Sequence, residues 1–198
     1  MTMQVKYAFR SIFLSLAVTA PLALLPVPAT AGAFSTVSDW GSEAADQFRL
    51  IRDQGSTELY LSGYGRHGRS TYTKERLEEL NENAWGVGVG RRIRNARGND
   101  EIVYALGISD SHYKPQLMAG YAHEWIYPVG GSGLELGVGY TAMLISRQDY
   151  FRGVPFPIAL PVGSLGTRDI KLRASYVPRL SQNKGNGDVL LLFVSIGI

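Results

Sequence analysis

The chain has 198 residues, a formal net charge of +3, 45% hydrophobic residues and no cysteine, which excludes disulfides, thiolate nucleophiles and cysteine-ligated metals. The basic excess belongs to the N-terminus: taking Lys6 and Arg10 from the 20 basic residues leaves 18 against 17 acidic, a balance that gives nucleic-acid binding no electrostatic support. The 23 glycines and 11 tyrosines, with little sustained helical periodicity, favour one all-β domain of about 165 residues after any leader.

Lys6 and Arg10 precede an apolar run from Ile12 to Val27, followed by the small-residue pattern Ala29-Thr30-Ala31. This reads as a secretory signal peptide over residues 1–31, cleaved after Ala31. Pro21, Pro26 and Pro28 argue against a retained membrane helix. No later run supplies the ~18 uninterrupted apolar residues of a membrane helix. The domain at 32–198 is therefore either soluble outside the inner membrane or a barrel in an outer membrane.

One helix is expected over 32–55. Phe34, Val37, Trp40, Ala44, Phe48 and Ile51 recur at spacings of three and four, and Gly55-Ser56 ends the run. Beside a barrel such a stripe suits a helix lying in the headgroup zone. The rest, 59–198, divides into eight strand-like runs at about 59–73, 85–94, 101–109, 116–126, 134–146, 157–161, 168–177 and 188–198. Turn signals fall at Asn95 to Asp100, Gly130 to Gly133, Gly163 to Gly166 and Asn183 to Asp188. The connections at 74–84, 110–115, 147–156 and 179–187 are longer and more charged. Long loops on one side and short turns on the other form the pattern of an eight-stranded antiparallel transmembrane β-barrel.

Alternation is visible in Ile102-Tyr104-Leu106-Ile108 and in Leu134-Leu136-Val138-Tyr140, yet the intervening residues (Val103, Ala105 and Gly107; Gly137, Gly139 and Thr141) are apolar or small as well. A water-filled pore would place polar residues on one face. The expectation is a wholly apolar lumen that either packs shut or, with glycines leaving room on its inward face, forms a hydrocarbon-binding cavity. Gly86-Val-Gly88-Val-Gly90 is a glycine alternation within a strand, without the crossover helix a phosphate loop needs. His67, His112 and His123 show no metal-ligand spacing, so neither metal nor cofactor is expected. On residue types alone, His67, Asp110 and Ser111 are one polar triple among many.

The sequence from His67 through Arg69, Tyr72, Lys74, Glu75, Asn81 and Glu82 to Trp85-Gly86, with Asp110-Ser111, Lys114 and Ala119-Gly120-Tyr121, resembles the PagP family, the outer-membrane lipid A palmitoyltransferases. The resemblance runs from about Leu59 to the C-terminus and implies a monomeric barrel in the outer membrane of a Gram-negative bacterium. It implies transfer of a palmitoyl-type chain from a glycerophospholipid to lipid A, with His67, Asp110 and Ser111 as the catalytic set at the outer rim. Ala122 stands where the family's acyl-chain ruler lies at the cavity floor. Pro155 or Pro157 with Pro178 would mark a lateral gate between the sixth and seventh strands, since proline cannot donate to a ladder.

Three departures qualify the match. Ser62 and Ala84 replace the prolines of a second opening, His112 replaces a tryptophan after the Asp-Ser pair, and Ile198 replaces the usual terminal aromatic, with Phe193 the nearest substitute. Two rivals stay open at this level: a non-catalytic lipid-binding or structural barrel, and phospholipid hydrolysis on the same scaffold.

Overall fold

The computed structural model describes residues 32–149, 151–179 and 187–198. The signal-peptide reading and most of the 183–188 turn lie outside them. The chain divides after Asp39, and Trp40–Ile198 forms one compact unit. Helix α1 spans Gly32–Gln54. Of its expected stripe, Ile51 is fully buried, whereas Ala44 is exposed and Phe48 is 50% exposed. The Gly55 N–H closes the helix on the Ile51 carbonyl at 2.9 Å, and a β-carbon at Gly55 would collide with that carbonyl. Gln47 ties the helix to Glu101.

Eight strands follow: β1 Ser56–His67, β2 Gly86–Arg94, β3 Asp100–Ser109, β4 Pro115–Val129, β5 Leu134–Ser146, β6 Phe156–Gly166, β7 Ile170–Val177 and β8 Val189–Gly197. Every neighbouring pair is antiparallel, and β1 pairs with β8 to close the barrel. All eight expected strands are present, most ends shifting by one to three residues and two by five or more. The first strand stops at His67, because residues 68–73 form a turn and Thr73 caps a short helix α2, Lys74–Glu79, through its side-chain oxygen. Gly163 to Gly166 is not a turn. Those residues continue β6, pairing with Val138 to Glu135 on one side and with Ala174 to Lys171 on the other. The turn lies one step later, where Thr167 and Ile170 exchange hydrogen bonds.

The outward positions form a lipid-facing belt. Val87, Val89, Leu117, Leu136, Leu144 and Leu172 are all exposed, as barrel exteriors in membranes require. Trp125 and Tyr140 pack around His123 on the same wall, in the manner of an aromatic girdle. Among the described residues no helix is long and apolar enough to cross a membrane.

The lumen has two different halves. Towards the long loops, a cavity of about 180 Å³ is walled by residues including Leu106, Met118, Met143, Ile145, Leu160 and Phe193. Towards the short turns, the lumen is filled with ion pairs. Arg92 binds Glu58 at 2.7 Å, Lys171 binds Asp100 at 3.0 Å and Glu135 at 2.8 Å, Arg94 bridges Asp100 and Glu135, and Arg173 binds Glu124. The expectation of a wholly apolar lumen is therefore corrected. Four cations meet four carboxylates, which is the balance that burial of charge demands.

Candidate active site

His67 is the last residue of β1 and points inward, 1% exposed. Its Nε2 lies 3.0 Å from Ser111 Oγ. Ser111 sits in the tight β3–β4 connection, where the Asp110 N–H bonds the Lys114 carbonyl at 2.8 Å. The Asp110 carboxylate shapes that connection from within. Its Oδ1 accepts the His112 and Lys114 N–H groups, both at 2.8 Å. Tyr113 at the tip takes φ = 59°, a left-handed conformation that a side chain adopts only when its surroundings impose it. Asp110 Oδ2 is enclosed, with the Arg147 guanidinium 3.9 Å away.

The structure thus brings His67 and Ser111 into contact and places Asp110 beneath Ser111. The carboxylate beside the imidazole is a different one. Glu82 Oε1 lies 3.4 Å from His67 Nδ1 and accepts the His67 backbone N–H at 2.9 Å. Arg69 grips both Glu82 oxygens, at 2.7 and 2.8 Å, and Tyr64 donates to Oε2 at 3.3 Å. The Arg69 hydrogen bond in particular holds the Glu82 carboxyl down to about 2. A carboxyl depressed on folding stabilises the fold above its usual range and loses that contribution as pH falls towards 2. This rim pair therefore stays ionised at any pH at which the imidazole titrates.

Asn81 splints the two loops, and sequence reading gave it no role. Its N–H donates to the Ser111 carbonyl at 2.9 Å, and its Nδ2 reaches the Asp110 carbonyl at 3.0 Å and Ser109 Oγ at 3.1 Å. The contiguous Asn81-Glu82 pair was the available signal. Tyr72 meets the His67 ring edge-on at 5.3 Å. His112, the departure noted after the Asp-Ser pair, lies 3.5 Å from Arg76 and 3.8 Å from Asp149 and links three loops.

Asp110, His112 and Asp149 can each bring one ligand atom within 4.8 Å of the others. The Arg147 guanidinium already binds Asp149 at 2.8 Å between them, supplying the positive charge that a cation would bring.

Arg147 also lines the cavity, as does buried Gln116 near the top of β4, so the cavity opens beneath the Ser111 loop. Ala122 is six residues deeper on β4, about 20 Å along the strand at its usual rise. It is 6% exposed and pairs with Ile102 and Thr141. The next inward residue is Glu124, held by Arg173 and Ser164. Hydrocarbon below Ala122 would meet charge.

The expected gate prolines fall around a break in the wall. The β6–β7 ladder runs only from Val162–Ser175 to Gly166–Lys171, so Phe156 to Pro161 of β6 lack ladder partners on β7. Pro157 lies within this stretch, Pro155 just before β6 and Pro178 just after β7. Pro161 ends the stretch, its carbonyl accepting Ser175 Oγ at 3.3 Å. Between β1 and β2 the ladder stops at Ser62–Gly86. Above it, the Gly65 N–H to Glu82 carbonyl bond, at 2.8 Å, and buried Ala84 close the wall.

A closed strand ladder, a lipid-facing belt, and a hydroxyl–imidazole pair above an apolar cavity define a small membrane barrel with a polar site at one rim. The family model described as antimicrobial peptide resistance and lipid A acylation protein PagP matches residues 47–195, and the chain belongs to that family. It is similar to a lipid A acyltransferase PagP of Bordetella pertussis (strain CS), 41% identical over 170 residues, covering 86% of this chain and 91% of that one. It is also similar to a lipid A acyltransferase PagP of Methylobacillus flagellatus, 37% identical over 174 residues and covering 88% and 92%. Among solved structures, Neisserial surface protein A (NspA) is similar with a TM-score of 0.35 and 12% identity, over 72% of this chain and 95% of that one, a likeness too low to bear on function.

Proposed function

We propose that this protein, as a monomer in the outer membrane of a Gram-negative bacterium, transfers a palmitoyl-type chain from a glycerophospholipid to lipid A. The observation that carries the reading is the 3.0 Å contact of His67 with Ser111 above an apolar cavity. Membership of the PagP family supplies the acceptor. The donor chain lies in the cavity with its ester carbonyl at the rim, and the β6–β7 opening admits it sideways from the bilayer.

The acceptor hydroxyl loses a proton as its oxygen bonds to the ester carbonyl carbon. The donor's C–O bond breaks, and the departing glycerol oxygen takes up a proton, leaving a lysophospholipid. Whether the acceptor attacks directly or through an ester on Ser111, the proton passes through His67 Nε2, which acts as base and then as acid. With His67 as the base, activity falls on the acid side as the imidazole charges. The rim carboxylate Glu82 does not titrate in that range.

The test is mass spectrometry of lipids incubated with the purified full chain, a phosphatidylcholine donor and lipid A. A one-acyl mass gain on lipid A with matching lysophospholipid is expected. Free fatty acid without that gain replaces the reading with hydrolysis. Unchanged lipids, with donor still bound, replace it with a lipid-binding barrel.

A further inference from the structure

We infer that Glu82, rather than Asp110, is the positioning residue that fixes the tautomer and orientation of His67, with Arg69 and Tyr64 holding Glu82 in place. The inference rests on the reading of His67 as the group that moves the proton. For Nε2 to accept the Ser111 hydroxyl proton, the ring's proton must sit on Nδ1. That nitrogen is enclosed and lacks any hydrogen bond of ordinary length among the described residues. Glu82 Oε1, 3.4 Å away, is an acceptor for that proton at a distance that tightens when substrate closes the site.

The surroundings of Glu82 have one effect. Oε1 is pinned by the His67 backbone N–H and by Arg69, Oε2 by Arg69 and Tyr64. The Glu82 carbonyl takes the Gly65 N–H, and Arg69 also reaches the His67 carbonyl at 3.3 Å. The carboxylate is therefore fixed to the same stretch of backbone that carries the imidazole. Asp110 is differently engaged: its hydrogen bonds go to the N–H groups of the turn that presents Ser111. One carboxylate places the base and the other places the hydroxyl. This division separates Glu82 from Asp110 by task.

The charged groups bearing on the His67 ring are Glu82, Arg69 and Arg147, and Ser111 and Tyr72 touch it. Of these, Glu82 alone favours the imidazolium. Replacing it by glutamine removes that support while keeping the shape.

The experiment uses the full chain in detergent, with nitrogen-15 histidine NMR on the wild type and steady-state kinetics on Glu82→Gln, Asp110→Asn and His67→Gln. The His67→Gln spectrum assigns the His67 signals against those of His112 and His123. The wild type should show His67 as the Nδ1–H tautomer. Glu82→Gln should lower kcat roughly 10²-fold with KM within about twofold, lose the single tautomer, and move the acidic limb of the pH–kcat profile to lower pH. A merely structural role would move neither the tautomer nor the acidic limb. Asp110→Asn should leave the tautomer and that limb in place.

A wild-type Nε2–H tautomer overturns the inference, and this measurement needs no Glu82 variant to fold. A Glu82→Gln enzyme with wild-type kcat and pH limb beside an inactive His67→Gln also overturns it. If His67→Gln stays active, the acyl-transfer reading of His67 has failed instead, and the NMR still decides whether Glu82 orients the ring.

Discussion

The two halves of the lumen share the same eight strands and solve opposite problems. The half under the long loops leaves space, bounded by side chains such as Leu106, Met143 and Leu160. The half above the short turns leaves none, and fills its section with Arg92, Lys171 and Arg173 against Glu58, Asp100 and Glu124. Apolar filling would have been the simpler way to close a barrel, since buried ion pairs rarely out-stabilise well-packed hydrophobic residues. A charged plug does something that leucine would not: it is a floor hydrocarbon cannot wet. The difference teaches that depth in this barrel is set by chemistry as much as by bulk.

The largest expected effect lies at the open end. Ser111→Ala and His67→Gln should each cut transfer by roughly 10²- to 10⁴-fold, read as lipid A mass gain per folded enzyme. Near-wild-type transfer by either variant removes that residue from the chemistry. Glutamine replaces the obvious alanine at His67 because the ring is 1% exposed. Truncating the enclosed imidazole to alanine would leave a cavity.

At the closed end the loss should be stability. Arg173→Met strips the cation from Glu124 and Glu58 and the partner from Ser195. Removing one member of a buried pair costs about 3–5 kcal/mol, so denaturant unfolding in detergent should shift by that amount. An unchanged midpoint would mean that the plug is not a connected network. The rim residues should keep their geometry, and activity per folded molecule should survive.

A smaller effect is expected from removing residues 32–54, which leaves both halves of the lumen intact. Phe48 and Leu50 are exposed on the helix surface, suited to the headgroup zone. Activity in detergent should persist with a lower melting temperature. Loss of detergent activity in a folded barrel would tie the helix to the chemistry.

These regions also differ in how readily the sequence discloses them. Strand count, belt and rim are legible because alternation is local and the residues from His67 to Trp85 form one contiguous motif. The plug was not, because its charges sit singly along separate strands, Glu58 and Arg173 being partners only through the closed ladder. Gly163 and Gly166 read as a turn because glycine signals both turns and close packing, and only pairing with β5 and β7 separates the two. Helix α2 is six residues long, too short to show a period. Glu82 was visible as a motif residue. Its contact with His67 depends on the loop folding back across β1, which spacing does not reveal.

The finest test sits where the two halves meet. Ala122 is the deepest inward residue of β4 before Glu124, and its methyl projects into the cavity floor. If the charged plug is fixed, the depth available to an acyl chain is measured from that methyl upward. Ala122→Gly should then admit about one more methylene, worth ~0.8 kcal/mol or about a fourfold change in preference. A panel of phosphatidylcholines differing only in saturated chain length should show the wild type favouring donors slightly shorter than palmitoyl and Ala122→Gly moving towards palmitoyl. Met118 and Met143, which line the same cavity, are flexible enough to refill the space. Identical profiles for the two proteins would mean that they do so, and would move the measure of length from Ala122 to the methionines above it.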